Sequence, residues 1–169
     1  MDVVVTGSSG LIGSALISAL TAGGHRPIQL VRKPAVGADG IHWDIEAGQL
    51  DTSSLEGIDG VVHLAGAGIG DKRWSESYKR LLISSRTDGT LLLSSKLASL
   101  EAKPKVFLSG SAIGFYGDRG TEVLVETSTV GDTFLSDLCA RWEASTLSAV
   151  NAGIPTTLLR TGIVQTPAG

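Results

Sequence analysis

Cysteine occurs once in the 169 residues, at Cys139, which excludes a disulfide framework within the chain and makes the reducing cytoplasm the expected compartment. No apolar run approaches the roughly 20 residues that a membrane-spanning helix needs, so no membrane partner is expected. Met1-Asp2 leads directly into Val3-Val4-Val5, a run too short for the apolar part of a signal peptide and without a basic stretch before it. Charge is scarce as well. Only 18% of residues are charged, 14 Lys and Arg against 17 Asp and Glu, for a formal net charge of −3. With no Lys/Arg-rich block, nucleic acid is not an expected partner either, and a small soluble ligand is. A hydrophobic content of 42% excludes a disordered chain, and the length suits one compact α/β domain over residues 1–169.

What is present is an alternation of short β-branched runs and helical patterns. Val3 to Thr6 reads as a strand buried on both faces. Leu11, Ile12, Ala15, Leu16, Ala19 and Leu20 then recur at helical spacing until Gly23-Gly24. Ile28 to Val31 and Ile41 to Trp43 read as the second and third strands, and Gly60 to Ala65 as the fourth. Ser75 stands at the N-cap of a long helix reaching Leu100. A fifth strand is expected over Lys105 to Ser109, a helix over Asp132 to Val150, and a sixth strand from Pro155 through Thr161. Such βαβ alternation predicts an α/β fold of the Rossmann type: a doubly wound parallel sheet in the order 3-2-1-4-5-6, three layers αβα.

Between the first strand and the first helix lies Thr6-Gly7-Ser8-Ser9-Gly10-Leu11-Ile12-Gly13. This is where such a fold binds the diphosphate of a dinucleotide, on backbone N–H groups at a helix N-terminus. Gly7 permits the tight turn, Gly10 lets a phosphate approach, and Gly13 lets helix and sheet pack closely. Gly7, Ser9, Gly10, Leu11, Ile12 and Gly13 are therefore candidate cofactor contacts, although the spacing G-x-x-G-x-x-G departs from G-x-G-x-x-G. An acid usually ends the second strand and accepts from the 2′-hydroxyl of NAD, whereas Arg32-Lys33 stand here. A guanidinium pairs with the 2′-phosphate of NADP, so NADP(H) is the expected cofactor, with NAD(H) possible. The plainer reading is two solvated charges on a loop. No metal site is expected.

Several segments in order resemble one family. They are the N-terminal Thr-Gly-x-x-Gly-Leu-Ile-Gly, His63-Leu64-Ala65-Gly66, Lys72-Arg73-Trp74, Ser84-Ser85-Arg86-Thr87, Ser111 to Asp118, and Phe134-Leu135-x-x-Leu138-Cys139-x-x-Trp142-Glu143. Together they resemble the epimerase-family atypical short-chain dehydrogenase/reductases, relatives of nucleotide-sugar epimerases and dehydratases, whose bacterial members include some called cell-division inhibitors. The resemblance implies that Asp44, Leu64, Ala65, Gly66, Arg86 and Ser109 line the cofactor, and that Ser111 orients the substrate. It implies a nucleotide sugar or related alcohol or ketone as substrate, and a smaller C-terminal substrate domain beyond the residues present here. The superfamily's Tyr-x-x-x-Lys pair, in which lysine lowers the tyrosine pKa, is replaced by Leu135 and Cys139. Arg86 stands where an asparagine is common. Tyr116 is then the remaining candidate phenol and Cys139 a candidate catalytic thiol, each to be weighed against simple packing. His63 is expected to bond to backbone, and Trp74 and Trp142 to be anchors. The expected activity is NADP(H)-linked oxidoreductase or epimerase chemistry; the alternative is a non-catalytic NADP(H)-binding regulatory or redox-sensing protein.

Overall fold

The computed structural model describes residues 1–32 and 40–166. Seven strands form one sheet: β1 (Asp2–Thr6), β2 (Arg26–Val31), β3 (Gly40–Asp44), β4 (Gln49–Leu50), β5 (Gly60–His63), β6 (Val106–Ala112) and β7 (Thr156–Thr161). Their order is β4-β3-β2-β1-β5-β6-β7. All neighbours run parallel except the two-residue β4, which pairs antiparallel with β3 through Trp43 and Leu50. Without that edge strand the order is the expected 3-2-1-4-5-6, the Rossmann-type doubly wound arrangement. Gln49–Leu50 is too short to produce a period-2 signal and was not anticipated.

Helix α1 (Leu11–Ala22) lies on one face of the sheet, against Val3, Val5 and Val62 through Leu16, Ile17 and Leu20. The other face carries α2 (Glu76–Ala98), α3 (Phe134–Ala144) and α4 (Leu147–Asn151). There Val4, Val61 and Phe107 meet Leu93, Leu97 and Ala149, all fully buried. Alternate residues of β1 and β5 thus face opposite helix layers, which is why these strands read as unbroken apolar runs. Each such side chain removed from water contributes about 1.5–3 kcal/mol.

Ser75 caps α2 by accepting from the Tyr78 N–H at 3.2 Å. The helix expected over Asp132 to Val150 is instead two. The Ser145 carbonyl accepts from Ser94 Oγ of α2 at 2.7 Å, and the Ala149 amide turns to the Thr146 carbonyl, so the register breaks at that point. Strand β6 runs three residues beyond the expected end at Ser109, because Gly110, Ser111 and Ala112 pair with Leu159, Arg160 and Thr161 of β7. Strand β5 stops at His63, two residues short of the expected end.

Candidate functional site

At the carboxyl end of β1 the chain turns through Gly7, at φ +67°, into α1. A Cβ on Gly13 would stand 2.1 Å from the Gly7 carbonyl oxygen, and one on Gly7 would meet the Leu64 carbonyl at 2.8 Å. Only hydrogen fits at either place. Gly10 is the N-cap of α1; no side chain caps the helix and its first turn contains no acid. Ser9, Leu11 and Ile12 are exposed around this end. Uncapped N–H groups and the positive end of the helix dipole make the turn a seat for an anion, closely approachable because Gly10 has no side chain. Ser8 Oγ donates to Gln29 Oε1 at 2.8 Å and ties the turn to β2.

Arg32 follows β2 and is exposed. Its carbonyl accepts from His42 Nε2 at 3.0 Å, while its guanidinium has no partner among the described residues. Lys33 lies outside the described residues. Asp44 ends β3 and accepts from the Ala47 N–H at 3.0 Å, closing a turn.

Beneath the turn runs a buried polar chain. Thr6 Oγ1 accepts from the Leu64 and Ala65 N–H groups, both at 3.1 Å, so its own proton goes to His63 Nδ1 at 2.7 Å. His63 Nε2 therefore carries the ring proton and donates to Thr90 Oγ1 at 2.9 Å, which also accepts from Trp142 Nε1 at 3.0 Å. The imidazole is bound by two hydroxyls rather than by backbone as expected, because the parallel register sets Thr6 directly beside His63. Burial lowers its pKa to about 4 and keeps it neutral.

Leu64, Ala65 and Gly66 continue from β5 along the turn. A Cβ on Gly66 would lie 3.3 Å from Arg86 Cγ and Cζ. Arg86, on α2, is 9% exposed; Nη1 donates to its own helix at Leu82 O, 3.1 Å, and its Cζ lies 5.2 Å from the Trp142 ring centroid. Its Nε is buried with no hydrogen-bond partner. The loop beyond is held by Tyr78, which donates to the Gly68 carbonyl at 2.5 Å, and by Ser85, which accepts from the Ala67 N–H at 3.1 Å. Cys139 packs with Tyr78, Leu82, Leu138 and Trp142, and burial pushes its thiol pKa up. That is the environment of a small hydrophobe. Trp74, 38% exposed, donates to the Ile69 carbonyl at 2.9 Å.

Ser109 is fully buried on β6. Ser111, two residues on, donates to Glu143 Oε1 at 2.6 Å. The same carboxylate receives Arg160 Nε and Nη2, each at 2.8 Å, in a bidentate pair. Arg160 Nη1 donates to the Tyr116 oxygen at 2.9 Å and to the Glu126 carbonyl at 3.0 Å, and its Cζ sits 3.6 Å from the Phe115 ring centroid. The carboxylate raises the Arg160 pKa above its already high ordinary value. The expected catalytic residues Ser111 and Tyr116 are thus joined through Glu143 and Arg160, neither of which was a candidate. Arg160 directly after Leu158-Leu159 in the expected sixth strand was the available signal, since a guanidinium drawn out of water calls for an acid.

The structure therefore brings Gly7 to Gly13 and Leu64 to Gly66 together at the carboxyl ends of β1 and β5, the place of the crevice in a doubly wound sheet, with Arg86 against Gly66. Ser109 and Ser111 lie on neighbouring β6, and Arg32 and Asp44 on the β2–β3 side. Among the described residues no cluster of His, Cys, Asp or Glu could hold a metal ion, and no helix is long and apolar enough to cross a membrane.

Comparison with known proteins agrees with this fold. An epimerase family protein of Mycobacterium leprae is 43% identical over 162 residues, which is 96% of this chain and 52% of the relative. The chain thus spans about half the length of the curated relatives it matches. The nucleoside-diphosphate sugar epimerase of Corynebacterium glutamicum superposes with a TM-score of 0.86 at 38% identity, covering all of this chain and 35% of that one. The human epimerase family protein SDR39U1, solved with NADPH, superposes at 0.83 and 30% identity, over all of this chain and 56% of that one. The model of the NAD dependent epimerase/dehydratase family matches residues 3–158, and the chain belongs to that family.

Proposed function

We propose that this chain binds NADP(H) in preference to NAD(H) and forms the cofactor-binding half of a cytoplasmic oxidoreductase or epimerase acting on a nucleotide sugar or related alcohol or ketone. The observation that carries the reading is the Gly7–Gly13 contact, which presses an uncapped helix end without an acid in its first turn against the sheet, the arrangement that suits a ligand's phosphate. Gly7, Ser9, Gly10, Leu11, Ile12 and Gly13 hold the diphosphate. Arg32 and Lys33 take the 2′-phosphate, and Asp44 flanks the adenine. Leu64, Ala65, Gly66 and Arg86 line the second half of the dinucleotide, with Ser109, expected to line it too, buried behind them on β6. When bound, the nicotinamide supplies hydride chemistry.

In this reading Ser111 orients the substrate. Its proton is committed to Glu143, so its free lone pairs accept from a substrate hydroxyl. Tyr116 stands behind it, held by Arg160, and Cys139 lies in the apolar wall. The remaining half of the relatives' length supplies the domain that encloses the reacting carbon. This chain alone then binds cofactor without turning substrate over.

A second reading, a non-catalytic NADP(H)-binding regulatory or redox-sensing protein, is favoured by one observation. The positions of the proton-transfer pair hold Leu135 and a buried Cys139. Calorimetric titration of the chain with NADPH, followed by incubation of the chain extended to the relatives' length with NADPH and a panel of carbonyl compounds, tests both. Turnover supports the first reading, binding without turnover the second, and absence of NADPH binding rejects both.

A further inference from the structure

Arg86 is a buried cation with no acid paired to it among the described residues. Its side chain takes part in no ion pair among the described residues, and the carboxylate of Glu143 is committed to Arg160 and Ser111. The guanidinium is seated on Trp142, lies against the bare α-carbon of Gly66, and leaves Nε buried without a partner. Among the described residues only one of its five N–H groups, on Nη1, donates a hydrogen bond, and that is to a carbonyl of its own helix. Burying a charge this way is costly unless something else in the site gains from it.

Its position indicates what gains. A dinucleotide across the carboxyl ends of a doubly wound sheet puts its diphosphate at the helix following β1. Its adenosine half lies towards β2, and its other half over β5 and the strand beyond. Gly66 and Arg86 lie on that second side, with Ser109 and Ser111. The nicotinamide ring carries a positive charge in NADP+ and none in NADPH, while the rest of the two molecules is the same. We propose that Arg86 sets the redox preference of the crevice: its unneutralised charge disfavours the cationic oxidised ring and selects the reduced cofactor. This rests on the NADP(H) reading above and adds to it a specificity residue acting on the ring's charge.

Like-charge repulsion across a partly screened protein interior is worth on the order of tenfold in affinity. The wild-type chain is expected to bind NADPH about tenfold more tightly than NADP+. In Arg86→Gln the two affinities converge, and in Arg86→Lys, which keeps the charge, a preference remains. Cys139 lies close enough to Arg86 for their charges to act on each other, so Cys139→Asp places a neutralising carboxylate there and removes the preference while Arg86 stays in place. Each variant is its own control, because a loosened crevice weakens both forms together and leaves their ratio unchanged. Calorimetric titration of the wild type and the three variants with NADPH and NADP+ is the experiment. Equal wild-type affinities, or an unchanged ratio in Arg86→Gln or Cys139→Asp, would overturn the proposal while leaving cofactor binding intact. A wild type that binds neither form would instead overturn the cofactor reading itself.

Discussion

The carbonyl oxygen of Gly7 occupies the space where a Cβ of Gly13 would be, 2.1 Å from it, so helix α1 rests on the turn that introduces it. Gly13→Ala must push α1 off the sheet. It is expected to destabilise the fold by about 2 kcal/mol, the usual scale of overpacking, and to weaken NADPH binding at least about tenfold. Gly10→Ala places its Cβ 3.3 Å from the same oxygen, so it should retain most stability while still weakening NADPH. Urea melts and calorimetry of the two variants give the comparison; equal stability losses would show that the Gly7–Gly13 contact is not the tight one.

Arg32 is exposed at the end of β2, and its guanidinium has no partner among the described residues; in the proposed reading it takes the cofactor's 2′-phosphate. Its hydrogen bonds to a phosphate are worth about 1.5–3 kcal/mol, so Arg32→Ala should lower NADPH affinity roughly ten- to a hundredfold and barely alter NADH affinity. Raising the salt should shrink the wild-type preference. Titration of both cofactors decides it, and equal losses for the two would remove Arg32 from the 2′-phosphate site.

His63 gives a pH signature. Unfolded, it takes up a proton near pH 6.5; folded, only near pH 4, because burial disfavours the imidazolium. Below pH 6.5 the unfolded state therefore binds more protons, and stability falls with falling pH until about pH 4. The loss due to this residue is about 3 kcal/mol. Urea unfolding of wild type and His63→Gln between pH 4 and 7.5 should show the slope in the first and a shallower one in the second. Parallel profiles would mean that the imidazole titrates freely in the folded chain.

Glu143 and Arg160 form a bidentate pair with side chains 9% and 17% exposed. Arg160→Met strands the carboxylate and removes the donor to the Tyr116 oxygen, at an expected cost of about 3 kcal/mol. Arg160→Met with Glu143→Leu should recover part of that, since no buried charge is then left unpaired. Denaturant melts of the single and double variants provide the cycle, and an additive double variant would contradict the coupling.

Periodic, locally encoded features were legible in the sequence. Val3 to Thr6, the Ser75 cap of α2 and the strand order all follow from apolar spacing and turn residues. Features created by pairing across the sheet were not. Gly110 to Ala112 look like a loop until β7 lies beside them, and nothing near Ser145 in sequence announces that Ser94 will take its carbonyl. The crevice showed the same division. The glycine turn announces itself within eight residues, whereas the Ser111–Glu143–Arg160–Tyr116 network joins groups from three separate segments. The acid-free setting of Arg86 likewise depends on which side chains the fold leaves out of its reach.

The hydrogen bonds around His63 run in opposed directions, one set from Thr6 inward and the other from Trp142, and they meet at Thr90. A line of donors that converges cannot hand a proton from one end to the other, so His63 is a peg rather than a wire. What it transmits is position. The Leu64 and Ala65 amides at the lip of the crevice hang from Thr6, Thr6 from His63, and His63 from a threonine that the α3 indole also grips. Leu64 and Ala65 are only half-buried, yet their amides should exchange their hydrogens as slowly as the sheet's interior, because releasing either means dismantling a joint between both strands and two helices.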